Sequence, residues 1–127
     1  MKKKILLILF LSFSTIGFSQ SAKIVFSAVD NTIDYGKITK TTDSGIRVFE
    51  FTNTGNAPLI IADILFTSGF TVLSKPTAPI MPGKTDKVEI KYNMTPGPIR
   101  KTITVESNAS NYEEGRIALK IKGEVIE

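Results

Sequence analysis

The segment Val48-Phe49-Glu50-Phe51-Thr52-Asn53-Thr54-Gly55-Asn56-Ala57-Pro58-Leu59-Ile60-Ile61 narrows the folds open to this chain more than any other. Phe49 and Phe51 alternate with Glu50 and Thr52, the period-2 signature of a strand with one wet face. The run then breaks on residues that favour turns, and a second apolar run begins at Leu59. About twenty residues later Pro79-Ile80-Met81-Pro82-Gly83-Lys84 supplies another turn, and another alternating run follows. Strand, turn and strand at this spacing are the rhythm of a small β-sandwich.

The same periodicity covers most of the chain, and no helical stripe appears. Ile24 and Phe26 alternate in a first short strand, and Asp30 to Lys40 reads as a loop region. Ile46 to Asn53 and Leu59 to Phe66 read as strands, and Phe70 to Leu73 as a short one before Pro76 and Pro79. Lys87 to Asn93 alternates cleanly, with Val88, Ile90 and Tyr92 inward. Ile99, Ile103 and Val105 share one face of the next strand. In the last, Ile117, Leu119, Ile121 and Val125 face in while Arg116, Lys120, Lys122 and Glu124 face out. The expected fold is all-β: an Ig-like antiparallel β-sandwich of about seven strands. Strand parity predicts a core of Phe49, Phe51, Ile61, Val88, Ile90, Ile103, Val105, Leu119 and Ile121.

Residues 1–19 read as a cleaved signal peptide. Lys2, Lys3 and Lys4 form a basic start, Ile5 to Phe13 an apolar stretch, and Gly17-Phe18-Ser19 puts small residues three and one before Gln20. The apolar stretch is short of the roughly 20 residues that span a bilayer. No Cys follows it to carry a lipid anchor. The expected domain is residues 20–127, exported to the periplasm or the cell exterior, with no stable membrane insertion after cleavage. Its 108 residues suffice for one core that buries roughly two-thirds of the unfolded surface.

Charge argues little for a polyanionic partner. The whole chain carries +4, but three of the sixteen Lys and Arg residues lie in the leader. The remainder has thirteen against twelve Asp and Glu, a net of +1, so nucleic acid is not expected as a partner. Cys and His are both absent. That removes a disulfide framework, Ser-His-Asp and Cys-His catalysis, Cys-based zinc sites and His-ligated haem. No enzyme, cofactor or metal is expected. Carboxylate-only chemistry survives in principle as glycoside hydrolysis by two acids about 5–9 Å apart. The candidate acids, Glu113-Glu114 and Asp30 with Asp34, lack calcium-loop spacing and read as solvated loop charges. Asn93-Met94-Thr95 and Asn108-Ala109-Ser110 match the glycosylation triplet, a pattern common by chance.

The order and spacing of several motifs add a family resemblance. They are Ile24 with Phe26; Asp34-Tyr35-Gly36-Lys37-Ile38; Phe49-Glu50-Phe51-Thr52-Asn53-Thr54-Gly55 with Pro58-Leu59-Ile60-Ile61; Pro79-Ile80-Met81-Pro82-Gly83-Lys84; Lys91-Tyr92; Lys101-Thr102-Ile103-Thr104-Val105 with Ser107-Asn108; and Leu119-Lys120-Ile121-Lys122-Gly123-Glu124-Val125. Together they resemble the bacterial Ig-like family known as domain of unknown function 1573, common in exported proteins of Gram-negative bacteria. The resemblance spans nearly all of residues 20–127. It implies a sandwich related in fold to sperm-protein and pilus-chaperone domains, and a binding or structural module without catalytic residues. Members of the family often carry Cys-Gly-Cys after the strand matching Leu59–Phe66. Here Ser68-Gly69-Phe70 stands in its place, so any thiol or metal role is lost, while the retained Gly69 suggests a turn that needs positive φ.

That departure makes the Phe66, Ser68, Gly69, Phe70 loop the first candidate for partner binding. Its two rings either anchor a partner at a sandwich tip or cap the core, and small domains bury most of their Phe. Open sheet edges are the other candidate. The expected function is an exported module that works by contact with an envelope protein. Two alternatives stand beside it: a chaperone-like strand-donating module, and a carbohydrate- or peptidoglycan-associated binding domain, which would need exposed, coplanar Tyr rings.

Overall fold

The computed structural model describes residues 20–126; the expected signal peptide lies outside them. Eight strands form two four-stranded sheets. The first sheet has the order β1 (Ile24–Phe26), β3 (Ile46–Asn53), β6 (Thr85–Tyr92), β5 (Phe70–Ser74). The second has the order β2 (Thr32–Thr39), β8 (Arg116–Ile126), β7 (Gly97–Ser107), β4 (Ile61–Leu65). This is the expected Ig-like sandwich.

Within it, two features depart from the sequence reading. The segment 30–40 is not a loop: it contains β2, the eighth strand. And β2 pairs with β8 in parallel, whereas every other strand pair is antiparallel. The reason is local. After β1 the chain makes a short 3-10 turn at Val29–Asn31, with Asp30 and Asn31 both at φ 53°. This turn shifts the chain from one sheet to the other without reversing it, so β2 runs alongside β8. A bulge between Asp34 and Lys37 then breaks the alternation, and the Gly36 N–H donates to the Asp34 carboxylate at 2.8 Å.

The core follows strand parity. Phe49, Phe51, Val88, Ile90, Ile103, Val105, Leu119 and Ile121 are all buried, as predicted. Phe26 meets Phe49 edge-on at 6.1 Å and Phe51 at 5.4 Å between ring centroids. Ile61 is the exception among the nine. It opens the edge strand β4 just before a bulge, so it packs against the core from the rim and stays half-buried.

Loops gather at two ends. The connections β3–β4, β5–β6 and β7–β8 share one end. There the two Pro-rich turns meet: Leu59 and Ile80 exchange backbone hydrogen bonds of 2.9 and 2.8 Å. Asn53, fully buried, ties this end together. Its side-chain N–H groups donate to the Ala57 and Ile80 carbonyls at 2.8 Å each, and its Oδ1 accepts from the Lys23 and Gly55 amides at 3.3 and 2.9 Å. The connections β2–β3, β4–β5 and β6–β7 share the opposite end, where the candidate tip lies.

Candidate functional site: the tip between the sheets

The β4–β5 connection, residues 66–69, carries the chain from the second sheet to the first. Its two rings do different things. Phe70 opens β5 and is buried, its centroid 4.9 Å from that of Tyr92. Phe66 is 50% exposed, and Leu65 before it 45%, which makes them the apolar end of the tip. Thr67 and Ser68 are exposed as well. Gly69 has φ +97°, the left-handed geometry expected from its retention. A Cβ there would stand 3.2 Å from Tyr92 Cε1, so the position is both conformationally special and close-packed. The Gly69 carbonyl accepts from the Asn93 amide at 2.8 Å, which pins the tip to the β6–β7 loop.

Beneath the tip the aromatic contacts continue inward. Tyr92 lies 6.3 Å from Tyr35, whose buried hydroxyl donates to the Gly45 carbonyl at 2.7 Å. The same carbonyl accepts from the Tyr92 amide at 2.9 Å. Arg47 lays its guanidinium 4.1 Å over the Tyr35 ring and grips Asp43 through both nitrogens, at 3.1 and 2.9 Å. The bonded guanidinium, aided by the Gly45 amide, holds the Asp43 carboxyl below its usual range. Burial pushes the Tyr35 hydroxyl up to about 12, against an opposing pull from Arg47. Phe70, Tyr92, Tyr35, Arg47 and Asp43 therefore form a continuous run of contacts leading inward from the base of the loop.

The raised Tyr35 hydroxyl has a measurable consequence. The folded state holds this proton more tightly than the unfolded chain, whose value is 10.0. The associated stability is complete below pH 10 and is lost as pH rises from 10 to about 12. Thermal melts across that window should fall more steeply for the wild type than for Tyr35→Phe. Equal slopes would show that the hydroxyl is not buried as described.

Other sequence candidates resolve as structure. Glu113 and Glu114 sit in a 3-10 turn before β8, with Glu114 at φ 55°. Tyr35 and Tyr92 are buried and Tyr112 is half-buried, its hydroxyl accepting from the Asn31 side-chain Nδ2 at 3.2 Å. The tyrosines thus offer no exposed coplanar platform. Both Asn side chains of the glycosylation triplets are engaged. Asn93 accepts from Thr95, and Asn108 accepts from the Ile60 amide at 2.8 Å while donating to Pro58. One sheet edge is incompletely covered: β4 pairs only with Thr104–Ser107 of β7, so among the described residues β7 has no strand partner on that side from Gly97 to Ile103. Pro98, which has no N–H, and Lys101, a charge on the inward parity, lie in this uncovered stretch.

Comparison with known proteins addresses the family and the fold. The family described as protein of unknown function (DUF1573) matches residues 26–125. The chain belongs to this DUF1573 family. No curated protein matches the sequence. Among solved structures, this DUF1573 chain resembles a protein of unknown function from Porphyromonas gingivalis W83, with 18% identity and a TM-score of 0.67. The likeness covers 88% of this chain and 50% of that one. The secreted serine protease VesC from Vibrio cholerae follows at 16% identity and TM-score 0.57, over 84% of this chain and 23% of the protease. The human CEP192 ASH/PapD-like domain 7 matches at 14% identity and TM-score 0.56, over 87% and 90%. At these identities the likeness is one of fold. The DUF1573 chain spans half the length of the Porphyromonas protein and about a quarter of the protease.

Proposed function

We propose that this DUF1573 chain is an exported, non-catalytic Ig-like module that works by protein–protein contact at the cell envelope, with the Phe66–Phe70 tip as its contact surface. One observation carries the reading. Phe66 is half-exposed beside the exposed Leu65, on a loop whose base is fixed by buried Phe70, positive-φ Gly69 and the bond to Asn93. An exposed aromatic on a rigid support loses little freedom on binding, which is what an interface anchor requires. The absence of Cys and His from the sequence supports a non-catalytic role, and the leader-like residues 1–19 support export.

Phe66→Ser should leave the melting temperature within about 2 °C, because surface changes of this kind alter stability by no more than about 0.5 kcal/mol. It should weaken capture of partner protein from envelope extract by tenfold or more, on the order of the 1–2 kcal/mol of a buried aromatic anchor. Undiminished capture would remove the tip from the interface.

The uncovered stretch of β7 favours a second reading, a module that pairs its edge with an extended client strand. Pro98 and Lys101 weigh against it. On that reading, capture survives Phe66→Ser.

A further inference from the structure

The outer face of the second sheet gathers positive charge that the sequence spreads over two strands. Arg100 of β7 lies directly opposite Lys122 of β8, and Thr102 opposite Lys120. Like charges in directly opposed positions cost stability. Among the described residues, no carboxylate comes within 4 Å of Arg100, Lys120 or Lys122. Asp34 sits beside Lys122 in register, but its carboxylate turns back onto the Gly36 amide.

A shallow depression of about 460 Å³ opens over this region. Its lining includes Arg100, Lys120 and Lys122 with Thr32 and Thr102, and contains no acid; Asp34 and Glu124 line the adjoining depression that shares Arg100 and Lys122. The first sheet's outer face is different. There Glu50 lies opposite Lys87, and Glu89 and Lys91 alternate along β6. Outside the leader-like residues the chain is nearly neutral, so the cations on the second sheet are a local concentration and not a general excess.

We propose that this face is a docking surface for an extended, acidic segment of a partner protein lying along β8. The spacing fits. Lys120 and Lys122 are two residues apart on one strand, hence about 6.8 Å, the same as alternate side chains of any extended peptide. A segment with acidic residues at alternate positions matches both lysines at once, and its intervening side chains point away. Arg100 reaches the same acid as Lys122 from the neighbouring strand, and the Thr32 and Thr102 hydroxyls flank the row.

Other polyanions fit less well. The lining holds no aromatic ring, so bases and sugar rings find no stacking platform. A flat anionic membrane would also meet Asp34 and Glu124, which border the cations on this face. A narrow strand lies between them. This surface is distinct from the tip, and the proposal does not rest on the tip reading.

The test is titration of the purified protein into a fluorescein-labelled peptide of alternating Glu and Thr, followed by anisotropy at low and at physiological salt. Saturable binding is expected, weakened about tenfold or more by Lys120→Glu with Lys122→Glu and by added salt. Both lysines are exposed, and Lys120→Ser with Lys122→Ser repeats the test without charge reversal. Lys87→Glu with Lys91→Glu on the opposite face, and Phe66→Ser at the tip, should leave the affinity within about twofold. A same-composition peptide with its Glu residues in adjacent pairs should bind more weakly. No binding, or binding unaffected by either Lys120/Lys122 pair of changes, overturns the proposal. So does equal binding of the paired-Glu peptide, or tighter binding of anionic lipid vesicles or an acidic polysaccharide than of the peptide.

Discussion

Phe51→Ala should cost on the order of 3–5 kcal/mol. The ring is fully buried and tilts against Phe26 at 5.4 Å, so truncation removes its transfer energy and leaves a cavity between the two sheets. A domain of this size is stable by only about 5–15 kcal/mol. The sequence contains no Cys, so no disulfide limits the unfolded chain. The urea midpoint should fall by about a fifth or more, with an unchanged slope. A midpoint that barely moves would mean that the two faces of β3 have been assigned backwards.

Asn53→Leu should be nearly as damaging, at about 3–4 kcal/mol, although it replaces a polar residue with an apolar one of similar size. Four backbone groups depend on this amide: the Lys23 and Gly55 N–H groups and the Ala57 and Ile80 carbonyls. Leucine fills the space and bonds to none of them: the Ile80 carbonyl keeps the Leu59 N–H, but the other three groups, part-buried, lose this partner, and a group shielded from water without a partner costs more than a lost hydrogen bond. The loss should appear as faster backbone exchange in the two Pro-rich turns as well as a lower midpoint. Asn56→Ala is the matched control. Its side chain accepts only from the exposed Ser21 amide, so the cost should stay below about 1 kcal/mol. Equal effects of the two substitutions would show that Asn53 is not the node of that end.

Asn53 also shows where reading by parity reaches its limit. Phe49, Phe51 and Asn53 share one face of β3, so alternation points all three inward. A buried Asn at that third position signals a hydrogen-bonding hub, but while Gly55 and Ala57 are close in sequence, its other two partners are thirty residues away in one direction and twenty-seven in the other. Alternation carries the core well, because Val88-Ile90-Tyr92 and Ile117-Leu119-Ile121 bury one face each and expose the other. It fails at β2. There the bulge places Tyr35 inward and Gly36 at φ +69°, and Asp-Tyr-Gly then reads as a turn. The parallel pairing of β2 had no local signal at all, since direction is set by the crossing after β1.

The tip was legible as a location but not in its detail. Phe66 and Phe70 lie on opposite sides of a loop without periodicity, so sequence could not say which ring is buried. Gly69 was the exception, because a retained glycine in an altered motif points to a backbone need, and the φ of +97° supplies it. The Arg47–Tyr35 stack joins strands of opposite sheets, which only the packing of the two sheets brings together, while its Asp43 partner lies four residues before Arg47. In the sequence, Lys120 and Lys122 face out from a single strand. Their concentration appears only when Arg100 is set opposite Lys122.

The proposed contact with an envelope protein through Phe66 is open to site-specific photo-crosslinking. A photoreactive side chain at position 66, in the protein expressed in its own host, should give a discrete adduct with an envelope protein. The same group at Val48, exposed on the outer face of the first sheet, should give none. An adduct at 66 that is missing at 48 is the predicted result. A blank at 66, or the same adduct at both positions, would contradict the account.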